Sequence, residues 1–115
     1  MIIWFKNLWL TFLERIRQTS KYRKVIVIKQ QPDKLVPYET LIVIIGGDEP
    51  KWLLLRCPCG CGEELRIPLM KNHTPHWDIF EETKNTITVF PSINIKHPGC
   101  GAHFWIRNNK VEWAT

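Results

Sequence analysis

Cys57, Cys59 and Cys61 alternate with Pro58 and Gly60 in the stretch CPCGCGE, and the fourth and last cysteine, Cys100, lies far along the chain in FPSINIKHPGCGAHFWI. Thiols can bridge one another, ligate a metal or attack a substrate. Glycine and proline between them let the chain fold its thiolates inward around one ion. Zn²⁺ takes four soft or borderline ligands in a tetrahedron, the loop offers three, and Cys100 is the only cysteine left to complete the set. His97 or His103 can stand in for one thiolate. Four cysteine ligands close the coordination sphere and make the metal structural, whereas a catalytic zinc with His103 as ligand needs one thiol free. The one-residue spacings are unlike those of ferredoxin clusters, no C-x-x-C redox pair occurs, and crowded thiols argue for ligation over nucleophilic attack.

The same C-terminal run holds a hydroxyl and two imidazoles. Ser92 follows Pro91, and His97 and His103 flank Cys100. A metal joining Cys100 to residues 57–61 pins this segment, and Ser92 and His103 can then face one another. An imidazole that takes the serine proton makes a nucleophile, and N–H groups in the bend at Gly99, Cys100 and Gly101 can stabilise an oxyanion. On residues alone the plainer reading is a serine that caps a turn and a histidine that packs. In HTPHW at 73–77, His73, His76 and Trp77 form a second cluster: a loop whose tryptophan closes the core, or a histidine or tryptophan at the rim of the same cleft. Asp78, Glu81, Glu82 and Glu112 read as solvated surface, and none is singled out as a partner for an imidazole.

Short β-type runs must position these groups. VIVIK at 25–29, ETLIVII at 39–45, KWLLLR at 51–56, TITVF at 86–90, HFWIR at 103–107 and KVEW at 110–113 are rich in β-branched and aromatic residues and end at turn residues. ELRIPL at 64–69 carries Pro68 and predicts an edge or short strand. Asn108 and Asn109 tolerate the positive φ of a tight hairpin. Upstream, Phe5, Trp9, Phe12, Leu13 and Ile16 fall on one face of a helix over residues 2–18. The fold class is therefore mainly β: a small zinc-stabilised β domain over residues 22–115 with an N-terminal amphipathic helix within residues 1–21.

The chain has 115 residues and a formal net charge of +5. That length suits one modest core. The positive charge is confined to the first 30 residues, where seven Lys and Arg face Glu14 alone. The domain itself is close to neutral, which argues against nucleic acid as a partner. The helix suits peripheral contact with an anionic membrane surface through residues 2–18, or packing on the domain or a partner subunit; its pattern fits both. Its apolar run is too short and too interrupted for a membrane span and lacks the features of a secretory signal. The expected location is cytoplasmic, with the inner membrane as a peripheral site, and reduced thiols there favour metal over disulfide.

Taken together, C-x-C-G-C-G (Cys57, Cys59, Cys61), P-S-[IV] (Pro91, Ser92, Ile93), C-x-x-H-[FY]-[FW]-I (Cys100, His103, Phe104, Trp105, Ile106) and V-x-W (Val111, Glu112, Trp113) give the chain a family likeness. Over residues 50–114 it resembles a family of small bacterial proteins encoded beside ubiquitin-like proteins and their activating (E1-like) and conjugating (E2-like) enzymes. The resemblance implies a zinc-stabilised serine peptidase that trims the C-terminal tail of a ubiquitin-like protein, in a setting of antiviral defence. It implies Ser92 as nucleophile, His103 as base, and Cys57, Cys59, Cys61 and Cys100 as ligands of a structural Zn²⁺. His97 lies outside the shared motif. His73 and Trp77 remain candidates for substrate contact, and Ala102 stands where many relatives carry serine.

Overall fold

The computed structural model describes residues 19–96 and 98–114; the helix expected over residues 2–18, and His97, lie outside them. Every described element is a strand: β1 (Lys24–Ile28), β2 (Thr40–Gly46), β3 (Glu49–Arg56), β4 (Glu64–Pro68), β5 (Asp78–Thr83), β6 (Thr86–Asn94), β7 (His103–Arg107) and β8 (Lys110–Trp113). They form two four-stranded sheets, ordered β1-β2-β3-β4 and β5-β6-β7-β8. Each sheet is a run of antiparallel neighbours except for the parallel pair β1 and β2.

The sheets bury their inner faces against each other. Leu41, Val43, Leu53, Leu55, Leu65 and Ile67 from the first meet Ile87, Val89, Ile93, Phe104 and Ile106 from the second, with Tyr22 inserted among them. The continuous apolar run of β2 follows from burial on both faces. Leu41 and Val43 point to this core, while Ile42 and Ile44 point the other way into a smaller cluster with Val36 and Leu54. Pro68 ends β4, which is an edge strand, where a missing N–H costs nothing.

Two features depart from the sequence reading. The stretch 78–83, not read as a strand, is β5, the outer edge of the second sheet, with Glu81 and Glu82 solvent-exposed as read. Strand β6 does not stop at Phe90 but runs on to Asn94, so Ser92 lies within a strand and caps no turn. Between Val89 and Ile93 the register shifts: Val89 opposes Ile106 and Ile93 opposes Phe104, so β6 carries two extra residues there. Pro91 sits in this bulge, which asks less of the backbone N–H it lacks.

At the other end of the second sheet, Asn108 and Asn109 turn the β7–β8 hairpin with φ of 51° and 65°. Asn109 is buried, which the turn reading did not anticipate. Its Oδ1 accepts from the Ile87 amide at 2.8 Å and its Nδ2 donates to the Asn85 carbonyl at 3.0 Å, locking the two hairpins of the sheet together.

Candidate active site and thiol cluster

Cys57 follows directly on β3, and the chain turns through Cys59 and Cys61 before entering β4. Gly60 and Gly62 adopt φ of 91° and 88°, a backbone that residues with a Cβ rarely adopt. Cys100 arrives from the β6–β7 connection. The four Sγ atoms lie within 4.8 Å of one another, and none is bridged. Cys57 Sγ is 3.3 Å from that of Cys59 and 3.6 Å from that of Cys100. A tetrahedron with metal–sulfur bonds of about 2.3 Å has edges near 3.8 Å, so the donor set fits a closed four-thiolate site. Burial pushes the Cys57 and Cys59 thiols up, and the neighbouring thiols raise Cys57 further. Cys100 is lowered: against a burial effect that raises it, the Ala102 amide and the three other thiols favour its thiolate.

Backbone and side chains beyond the cysteines hold the loop. The Cys57 amide donates to Glu63 O at 2.9 Å, and Thr19 N donates to Pro58 O at 2.9 Å. Arg56 reaches around the outside. Its Nε donates to Val36 O at 2.8 Å, its Nη1 to Gly62 O at 2.7 Å, and its guanidinium lies 4.8 Å from the Tyr38 ring centre. Beneath, the Tyr22 hydroxyl donates to Arg56 O at 2.8 Å. Its burial raises its pKa well above the phenol range. Arg56 and Tyr22 were not singled out from sequence. An arginine abutting the first cysteine was the available signal.

The segment that brings Cys100 into this cluster also carries His103, the first residue of β7. It is held at both sides: Ile95 N donates to Ala102 O at 2.7 Å, and Ala114 N donates to His103 O at 2.9 Å. Gly99 makes the tight bend, its N–H donating to Lys96 O at 2.8 Å. That amide is therefore engaged within the bend instead of being offered to an oxyanion.

Across from β7, the bulge in β6 presents Ser92 on the outer face of the sheet. Ser92 Oγ and His103 Nε2 are 2.8 Å apart. Both residues are half-buried. The Trp77 indole N–H donates to Ser92 O at 3.1 Å and ties the backbone of the serine to the start of β5. Among the described residues no carboxylate lies within salt-bridge distance of His103; Glu112 instead pairs with Arg107 at 2.9 Å.

Trp77, with His76, also lines an open groove of about 760 Å³ beside the free edge of β5, walled by Lys51, Leu69, Ile79 and Phe80. His73 is exposed, its ring edge-on to Trp52 and its Nδ1 2.6 Å from Pro75 O. On the outer face, Phe90 and Trp105 flank the serine and histidine with ring centres 5.9 Å apart. Neither was singled out for a site. Alternation along F-P-S and H-F-W pointed to them only once β6 was continued past Pro91.

A two-sheet β domain with a closed four-thiol cluster and a solvent-facing serine–histidine pair defines a small domain with a metal-compatible site and the makings of a hydrolase. Residues 27–114 match the family model of the bacterial ubiquitination-like system serine protease (BubE), and the chain belongs to that family. The motif likeness in the sequence thus led to the family that the model identifies. No curated protein and no solved structure matches the chain.

Proposed function

We propose that this protein is a serine peptidase that trims the C-terminal tail of a ubiquitin-like protein, with Ser92 as nucleophile, His103 as general base and acid, and a structural zinc on Cys57, Cys59, Cys61 and Cys100. The observation that carries the reading is the 2.8 Å contact between Ser92 Oγ and His103 Nε2 on an accessible sheet face. The thiol cluster adds to it, because four cysteines leave a tetrahedral ion no open position. The chemistry then rests on the serine and histidine. Zinc, when bound, cross-links the 57–61 loop to the segment leading into β7 and contributes folding energy.

With the imidazole proton on Nδ1, Nε2 accepts the hydroxyl proton as Ser92 Oγ bonds to the scissile carbonyl carbon. The tetrahedral adduct collapses, the C–N bond breaks, and the proton on Nε2 passes to the departing amine. Water then attacks the resulting ester and gives its proton to Nε2. The acid is released from Ser92, which recovers the proton. The indole bond from Trp77 fixes the Ser92 backbone while this happens.

The test is incubation of a ubiquitin-like precursor from a bacterial ubiquitination-like system with zinc-loaded wild-type protein and Ser92→Ala, read by intact mass. A shortened C-terminus with wild type alone supports the assignment. Equal cleavage by both removes it, and cleavage by neither leaves a non-catalytic zinc module that recruits the ubiquitin-like protein or its conjugating enzyme.

A further inference from the structure

The outer face of the second sheet carries more than the serine and histidine. Alternation along β6 and β7, with Val89, Ile93, Phe104 and Ile106 buried, turns Phe90, Ser92 and Asn94 together with His103, Trp105 and Arg107 away from the core. Phe90 is 53% exposed although it neighbours a buried strand interior. Its ring leans on Trp105 at a centroid distance of 5.9 Å and an angle of 42°. The Arg107 guanidinium lies 4.9 Å from the Trp105 ring centre, and Glu112 holds its Nε at 2.9 Å. The result is an aromatic shelf with a charge-paired margin beside Ser92 and His103, Phe90 reaching it across the bulge and Trp105 lying two residues from His103 along β7. Apolar area shown to water at such a place marks a contact surface.

We propose that this shelf sets specificity, binding an apolar side chain of an extended peptide on the N-terminal side of the cleaved bond. This deepens the peptidase reading and rests on it. The side follows from the order of groups along the sheet. His103 is level with Asn94, Ser92 comes next, and Phe90 and Trp105 lie beyond it. His103 must hand its proton to the departing amine, so the departing half lies toward the His103 end and the acyl half runs over the shelf. Side chains of an extended peptide that share a face recur about every 6.6–6.8 Å, the repeat of Trp105 to His103 along the regular strand β7. A residue within two positions of the cleaved bond therefore meets the rings. Arg107 is paired with Glu112 at the margin, and what the shelf itself offers a side chain is the apolar contact of the two rings.

The experiment uses zinc-loaded protein and decapeptides copying the precursor tail, each with Leu, Gly or Asp placed at one of the two positions on either side of the cleaved bond. Wild type is expected to prefer Leu over Asp on the N-terminal side by about tenfold or more in kcat/KM. Phe90→Ala and Trp105→Ala abolish that preference, read as a raised KM for the Leu peptide, and Phe90→Tyr restores it. Leu35→Ser, an exposed apolar residue on the β1–β2 connection, changes nothing. A preference confined to the departing side, or one that survives in folded Phe90→Ala and Trp105→Ala, overturns the proposal. Titration of Ser92→Ala protein with the Leu and Asp peptides separates the two ideas. Shelf-dependent affinity without wild-type cleavage leaves the surface standing and the peptidase reading fallen; cleavage without shelf dependence does the reverse.

Discussion

Replacing Gly99 by alanine tests whether the thiol cluster positions His103, the proposed base. A Cβ at this position would lie 2.6 Å from Ile95 Cγ2 and 2.9 Å from the Lys96 carbonyl oxygen. Ordinary carbon contact begins near 3.5 Å, so the Ile95 methyl must give way by about 0.9 Å, and the Lys96 carbonyl, also too close, cannot rotate away because it accepts the Gly99 N–H. Overpacking of this kind costs about 1–3 kcal/mol. The larger effect falls on the neighbours. Cys100 is next in the chain and His103 is four residues on, and a misplacement of about 1 Å can cost on the order of a hundredfold in rate. Gly99→Ala is therefore expected to load zinc less tightly and to lower kcat by up to about two orders of magnitude, with the melting temperature falling by only several degrees. Zinc affinity by competition with a chromophoric chelator, kcat on the precursor tail, and a thermal melt give the three readings. Wild-type kcat with wild-type zinc affinity would refute the link from bend to site.

Arg56→Met removes two hydrogen bonds that hold Val36 O and Gly62 O, at a cost of about 1–3 kcal/mol, and the loosened loop is expected to show in a denaturant titration and in weaker zinc binding. Asn109→Ala leaves the buried Ile87 amide without its acceptor and forces alanine to a φ near 65°, so a destabilisation of about 2–4 kcal/mol is expected. Asn109→Gly keeps the turn but not the bonds, and calorimetry should place it between wild type and Asn109→Ala. Metal analysis should find one zinc per chain. Because ligation needs thiolates and burial holds Cys57 and Cys59 protonated in the metal-free site, loading should release protons and occupancy should fall with falling pH. Calorimetric titration in buffers of different ionisation enthalpy counts those protons, and a count of zero contradicts the thiolate set.

Much of the scaffold was legible because its signals are local. β-Branched runs ended by turn residues marked most strands, and the paired asparagines marked the last hairpin. Crowded thiols with one distant partner marked the cluster. β5 escaped because only Ile79 and Phe80 break its polar run, and this edge strand is held by one neighbouring strand with only Ile79 packed against the core. The path of β6 past Pro91 escaped for a different reason. Proline ends most strands, and only the tertiary register reveals a bulge that absorbs it. Ser92 and His103 carried no local mark that told a reacting pair from a turn cap and a packed ring. Their approach depends on that bulge and on the bend at Gly99, both products of long-range pairing, so on residues alone the pairing was the less favoured reading and only the family likeness pointed to it. The burial of Asn109 was hidden likewise, since its partners Ile87 and Asn85 belong to the other hairpin.

Cleavage of a ubiquitin-like precursor by zinc-loaded wild type and Ser92→Ala, followed by intact mass and with zinc content measured on both, tests the central claim most directly. Loss of the tail with wild type, a rate lower by about four to six orders of magnitude with Ser92→Ala, and one zinc in each protein is the expected result. Undiminished cleavage by the zinc-loaded Ser92→Ala protein would contradict it.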